Sequence, residues 1–393
     1  MSRASAVQAP AGTVETALAS VLDVVREHAR ATDEQAAFPE AALAALRSSG
    51  LLGLLVPGEH GGMSGELTDM VRVAERIARE DLSVGLIFAM HCQQVATLVA
   101  YARPALRATL LPRIARGEVY LASVTTEAGR GGALTTSESP LTDQDGAFVL
   151  DRFAPIVTGG AYADGFLITM QVPAAGSPTE VSLVYADRAQ LAVGAAGTWD
   201  PMGMRASHSL PMRIEGAVPA DQVVGEHGGF RDVAMRLFAP LAHIGWAACW
   251  LGAASGALSR LVYHLRGAAG RQSYDTSSEL LLTRLGRVRG RLDVVHATMA
   301  RVIDLVVDGD DLSRPRCQLL LNTLKIEAAE QTFAAVHELI ELAGLRLGYL
   351  KGSALWLERV FRDLRAASLN YGNDRLLLAN GRLALLDPEV RLV

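Results

Sequence analysis

Three glycine-bearing turns follow one another in the middle of the chain: Thr125-Thr126-Glu127-Ala128-Gly129-Arg130-Gly131-Gly132, Thr158-Gly159-Gly160, and Gly203-Met204-Arg205-Ala206-Ser207-His208-Ser209. Backbone amides in such turns can come close to a planar ring or a phosphate, because glycine has no Cβ to hold the partner off. A threonine beside the turn adds a hydroxyl that donates or accepts. Each turn alone is ordinary; the ordered trio points to a polar, planar or phosphorylated ligand. Proton chemistry has three candidates. His91, in Ala89-Met90-His91-Cys92-Gln93-Gln94, and His243 carry imidazoles that titrate near neutrality, and Asp374 carries a carboxylate. For the histidines the competing role is a satisfied core residue; for Asp374 it is a helix cap or a surface pair with Arg375.

The elements that must position these groups change twice along the chain. Up to about Gly117 the pattern is helical: Ala41, Leu43, Leu46 and Leu51-Leu52 recur at helical spacing, and Phe38-Pro39-Glu40 marks a helix start. Val56-Pro57-Gly58-Glu59-His60-Gly61-Gly62 reads as a loop, with helices after it from about Leu67 to Glu80 and Leu86 to Ala102. From Val119 to about Val224 the runs become short and β-like (Phe148–Leu150, Gly165–Met170, Val181–Tyr185, Met212–Ile214), which predicts an antiparallel sheet or small barrel. From Phe230 the helical period returns. Leu281, Leu285, Val288, Leu292 and Val295 form an apolar stripe, with Arg284, Arg287 and Arg291 on another, solvated face. The expected organisation is α+β: a helical domain at 1–117, a β-domain at 118–228 and a helical bundle at 229–393.

Bulk properties narrow the partners. The net charge of −5 lacks the concentrated basic face that nucleic acid requires. Cys92, Cys249 and Cys317 lie far apart in apolar contexts, which fits neither a metal site nor a disulfide framework and points to a reducing cytoplasm. The first residues have no long apolar core, so no signal peptide is expected. The apolar stretch from Leu241 to Leu258 is broken by His243, Ser255 and three glycines and reads as a buried helix rather than a membrane span.

The order of the turns, with helices on both flanks, resembles the acyl-CoA dehydrogenase superfamily of FAD-dependent flavoproteins over nearly the whole chain. The resemblance implies that Thr126 to Gly132, with Thr125 beside it, lies along the flavin pyrimidine and phosphates, where the family has Thr-Glu-Pro-Gly-x-Gly-Ser. It places Thr158 near flavin N5, with Ile156 where a tryptophan usually covers the ring. Trp199-Asp200-Pro201-Met202-Gly203-Met204-Arg205 then follows in order. Arg266, in the segment Arg266–Gln272, and Arg271 correspond to a pyrophosphate contact made across a subunit boundary. A homodimer or homotetramer is therefore expected, with FAD rather than FMN as cofactor and no metal.

The same resemblance locates the catalytic base. Arg362-Asp363 matches a pair that precedes Tyr-Glu-Gly-Thr in the family, and that motif falls on Asn370-Tyr371-Gly372-Asn373. Tyr371 takes the place of the glutamate, while Asn373 retains a polar side chain for the cofactor. Phenols titrate at about 10 and are poor bases near neutrality. In relatives that carry the glutamate on the first bundle helix, the matching pair is Ala242-His243. Tyr371, Asp374, His243 and His91 are thus the catalytic candidates. The implied activity is oxidation of an acyl thioester, on CoA or a carrier protein, with transfer to an electron acceptor. The alternative is a flavin-dependent monooxygenase served by a separate flavin reductase, and a third reading is a non-catalytic supporting subunit.

Overall fold

The computed structural model describes residues 11–127, 134–172 and 177–392. Five helices come first: α1 (Ala11–Gln35), α2 (Glu40–Ser48), α3 (Leu67–Ala78), α4 (Leu82–Tyr101) and α5 (Pro104–Ala115). Eight strands follow: β1 (Leu121–Val124), β2 (Thr142–Gln144), β3 (Ala147–Val157), β4 (Gly165–Gln171), β5 (Val181–Asp187), β6 (Leu191–Ala195), β7 (Leu210–Pro219) and β8 (Val223–Val224). The chain then returns to helix with α6 (Phe230–Val233), α7 (Ala239–Arg266), α8 (Ala268–Ser273), α9 (Glu279–Val307), α10 (Pro315–Gly344), α11 (Leu357–Leu364) and α12 (Asn373–Ala384). The α+β order of helices, sheets and helices expected from the sequence is the one observed.

The strands form two sheets, ordered β1-β4-β5-β8 and β2-β3-β7-β6. All pairings are antiparallel except β1 with β4, which is parallel. The reason is the route of the chain, which leaves β1, builds the β2–β3 hairpin in the other sheet, and only then returns as β4. In β3, buried and outward residues alternate up to Ala154, as a sheet with one covered face requires. Between Ala154 and Val157 the register to β7 shifts. A bulge of this kind re-aims side chains, and it turns Ile156 outward.

The described residues fall into two compact units. One comprises the residues up to Met70 together with Ile87–Asp200 and Ala206–Ala242, and holds both sheets. Its core joins Val95, Leu98 and Leu110 of the helices to Leu121, Leu167, Leu183 and Tyr185 of the strands. The other comprises Val71–Leu86, Pro201–Arg205 and His243–Val393. In it α10 packs against α9, α11 and α12, and α9 buries Val288, Leu292 and Val295 as its stripe predicts. Of the arginines expected on a solvated face, Arg287 instead bonds Glu338 at 2.8 Å and Arg291 bonds Gln331, so they tie α9 to α10. Residues 71–86 belong with these helices: Arg260 and Arg359 donate to the main-chain oxygens of Arg79 and Glu80.

Candidate active site

In the sheet-bearing unit, the bulge in β3 leaves the main-chain groups of Ile156 outside the β7 ladder. Thr126 satisfies both. Its Oγ1 donates to Ile156 O at 2.9 Å and accepts from Ile156 N at 3.3 Å. Beneath it, Arg152 is fully buried, donates to Thr126 O at 3.0 Å and to Ser139 Oγ at 2.9 Å, and forms an ion pair with Glu127. The segment following β1 is therefore clamped to β3 by one hydroxyl and one buried ion pair. Thr125 is part-exposed beside it, and Gly131 and Gly132 lie outside the described residues.

Thr158 begins the next turn. Its hydroxyl lies 3.0 Å from Ser209 Oγ, which in turn lies 2.8 Å from Ser207 Oγ, giving a chain of three hydroxyls. Gly159 has φ +62°, and a Cβ there would stand 2.5 Å from Tyr120 Oη. Only glycine fits, and the reason is packing against the tyrosine. Outside this turn Ile156 is 50 % exposed and Phe153 42 %. An aliphatic and an aromatic side chain thus stand uncovered close to the Thr126 clip and the Thr158 hydroxyls. A flavin ring, flat and apolar on its faces and polar at its pyrimidine edge, suits such a surface, so the residues present fit the cofactor implied by the sequence.

His91 belongs to the same unit and is fully buried. The Leu121 amide donates to its Nδ1 at 3.1 Å, which leaves Nε2 to donate to Leu52 O at 2.9 Å. Both ring nitrogens are committed to main chain, and burial pulls the imidazole down to about 4. His208 packs edge-on to Tyr162 with 5.7 Å between ring centres.

In the helical unit, His243 on α7 and Tyr371, in the turn before α12, come together with ring centres 5.9 Å apart. Tyr371 adopts φ +50°, a left-handed conformation that non-glycine residues seldom take. Burial raises its phenol, with Arg375 opposing. His243 is buried, bonds the Leu321 main chain, and is held at about 4 by burial and by the charge of Lys325. Its Nδ1 is buried and lacks a hydrogen-bond partner. An unpaired buried acceptor is uncommon, and here it is a proton acceptor waiting for a donor.

Asn373 is buried, with both ends of its amide in use: Oδ1 accepts from Lys325 Nζ at 2.7 Å, and Nδ2 donates to Glu330 Oε1 at 3.0 Å. Asp374 is exposed, as is Arg266 at the end of α7. Arg362 pairs with Glu358 at 2.8 Å, while Asp363 accepts from the Met204 amide at 2.6 Å. A Cβ on Gly203 would meet Arg362 O at 2.0 Å. The Arg362-Asp363 pair and the Gly203 turn therefore lock to each other.

Lys325 escaped notice in the sequence. It is fully buried on α10, donates also to Ala367 O at 3.1 Å, and stands 5.6 Å over the centre of the Trp250 ring. Burial lowers its ammonium to about 8. A signal existed: the chain has only two lysines, Lys325 and Lys351, among its 37 basic residues, and Lys325 follows Leu321 by four, on the apolar stripe.

Comparison with known proteins agrees with this architecture. Residues 13–118 match the acyl-CoA dehydrogenase N-terminal domain and residues 244–374 the acyl-CoA dehydrogenase C-terminal domain. The very long-chain specific acyl-CoA dehydrogenase of Bos taurus is 26 % identical over 351 residues, 86 % of this chain and 52 % of that protein. The chain spans about half the length of the very long-chain dehydrogenases it matches. An amino sugar nitrososynthase of Streptomyces rubradiris is 30 % identical over 241 residues, 59 % of this chain and 56 % of that protein. In structure, TdsC of Paenibacillus sp. A11-2, solved with FMN and indole, superposes with a TM-score of 0.84 at 21 % identity, covering 97 % of this chain and 98 % of that one. Helical ends flanking two sheets, matched by these domains, define a flavin oxidoreductase fold. The chain belongs to the acyl-CoA dehydrogenase superfamily.

Proposed function

We propose that this chain is an FAD-dependent oxidoreductase that oxidises an acyl thioester, carried on CoA or a carrier protein, at Cα–Cβ. The observation that carries the reading is the convergence of His243 and Tyr371, the two positions where the family's base is expected, with His243 Nδ1 unpaired beside the phenol. His243 Nδ1 accepts the Cα proton, and the Tyr371 amide is free of side-chain identity as a donor to the thioester carbonyl. A bound flavin supplies the two-electron acceptor for the Cβ hydrogen. Thr126 and Thr158 orient its ring edge, and Arg266 serves the pyrophosphate of a flavin held with a second copy, in a homodimer or homotetramer. An electron acceptor protein, and a cytoplasmic setting consistent with three free, buried cysteines, complete the proposal.

A second reading is favoured by the chemistry of the same pair. An imidazole and a phenol stand where a carboxylate serves dehydrogenation, and one relative is named for nitroso synthesis rather than acyl oxidation. On that reading the chain is a flavin-dependent monooxygenase supplied by a separate reductase.

One preparation tests both. The visible spectrum of the purified protein, with identification of the released flavin, decides FAD against FMN. Anaerobic bleaching by a panel of acyl-CoA and carrier-bound thioesters is the expected result. Absence of bleaching by every thioester, together with reductase-dependent oxygen consumption, overturns the first reading for the second.

A further inference from the structure

Lys325 is a buried cation with no carboxylate in direct ion-pair contact among the described residues, and it touches both halves of the His243–Tyr371 pair indirectly. Toward α12 its Nζ bonds Asn373 Oδ1 and Ala367 O. These two contacts bracket the segment 367–373 that carries Tyr371 in its left-handed conformation. Toward α7 it faces Trp250 and acts on His243, whose ring is bonded by Leu321 one helical turn earlier on α10. The compensating negative charge, Glu330, reaches it only through the Asn373 amide.

We propose that Lys325 is a positioning residue for His243: it pins the Tyr371 turn and, as a buried cation beside the imidazole, keeps His243 uncharged with Nδ1 open to a proton. A lysine suits this better than a leucine because three donors radiate from one nitrogen, so two can hold the turn while the charge acts through space. An unpaired positive charge in a low-dielectric interior disfavours a second one nearby. The groups that set the charge of His243 are Lys325 from α10 and Tyr371 from the turn before α12. Glu330 modulates Lys325, and Arg375 modulates Tyr371. This inference rests on His243 as the proton acceptor.

The test is read without substrate. Histidine-labelled protein is titrated by NMR, with His243→Gln identifying the resonance, in the wild type and in Lys325→Met. The expected result is a midpoint near 4 in the wild type that moves upward in Lys325→Met and stays low in Lys325→Arg, which keeps the charge. An unchanged midpoint in Lys325→Met overturns the proposal. If that variant does not fold, the double change Asn373→Asp with Glu330→Gln moves the carboxylate into direct contact with Lys325 at constant net charge. It is expected to raise the midpoint, and no rise there overturns the proposal equally. A shifted midpoint with a catalytically silent His243→Ala would retain this role for Lys325 and discard only the reading of His243 as base.

Discussion

The rings of His243 and Tyr371 lie 5.9 Å apart at an interplanar angle of 53°, one on a long helix and the other on a turn more than a hundred residues further along. If His243 takes the Cα proton, His243→Ala lowers kcat by about 10²–10⁴-fold, the usual contribution of a placed general base. Tyr371→Glu then restores or raises dehydrogenation by a gain in the same range, because a carboxylate regains the family's position. Rapid-reaction bleaching of the flavin with an acyl-CoA measures both. Unchanged rates in His243→Ala, or no gain in Tyr371→Glu with a thioester that demonstrably binds, would count against the acyl-thioester reading.

Thr126→Val removes the only hydroxyl that serves both main-chain groups of Ile156 at the bulge. The expected cost is about 1 kcal/mol, the net worth of a hydrogen bond at a site that water can still reach. Thr126→Ser keeps the hydroxyl and is expected to stay within a few tenths of a kcal/mol of wild type. Chemical denaturation resolves the difference, and equal midpoints for the two variants would show that the clip contributes nothing.

Two buried imidazoles, His91 and His243, are each held at about 4 against an ordinary 6.5. An imidazole depressed in the folded state contributes stability that is complete above the unfolded value and is lost as pH falls through the folded one. Stability should therefore decline between about pH 6.5 and 4, by on the order of 3 kcal/mol for each ring. His91→Gln and His243→Gln should each flatten part of that decline in urea titrations run across the window. A decline of the same steepness in both variants would assign it to other groups.

Gly252 on α7 lies against the main chain of α3, where an added Cβ would come within 2.3 Å of Glu75 O. Alanine in a helix interior gains about 1 kcal/mol over glycine, but overpacking against rigid backbone costs about 1–3 kcal/mol. Gly252→Ala is expected to be destabilising, and Gly252→Val more so, by thermal melting of the two variants. A rise in Tm for Gly252→Ala would mean that the two helices separate without cost.

Much of the architecture was written in local patterns. The stripe Val288, Leu292, Val295 specified which face of α9 is buried, because a helix repeats every 3.6 residues whatever lies beyond it. The runs at Gly165–Met170 and Val181–Tyr185 became β4 and β5, since continuous apolar runs bounded by turn residues favour covered strands. What sequence order could not supply was partnership over distance. The parallel pairing of β1 with β4 depends on an excursion into another sheet, and the arginines of α9 found Glu338 and Gln331 only once α10 lay beside them. His91 shows the limit most plainly: its residue type suggested proton chemistry, but the amide of Leu121 and the carbonyl of Leu52 occupy both nitrogens. For His243 the fold did the opposite, burying Nδ1 without a partner beside Tyr371. Lys325 gained its meaning from tertiary structure as well, because a lone lysine on an apolar stripe becomes informative only when burial removes its water and leaves an asparagine, a carbonyl and an indole to hold its charge.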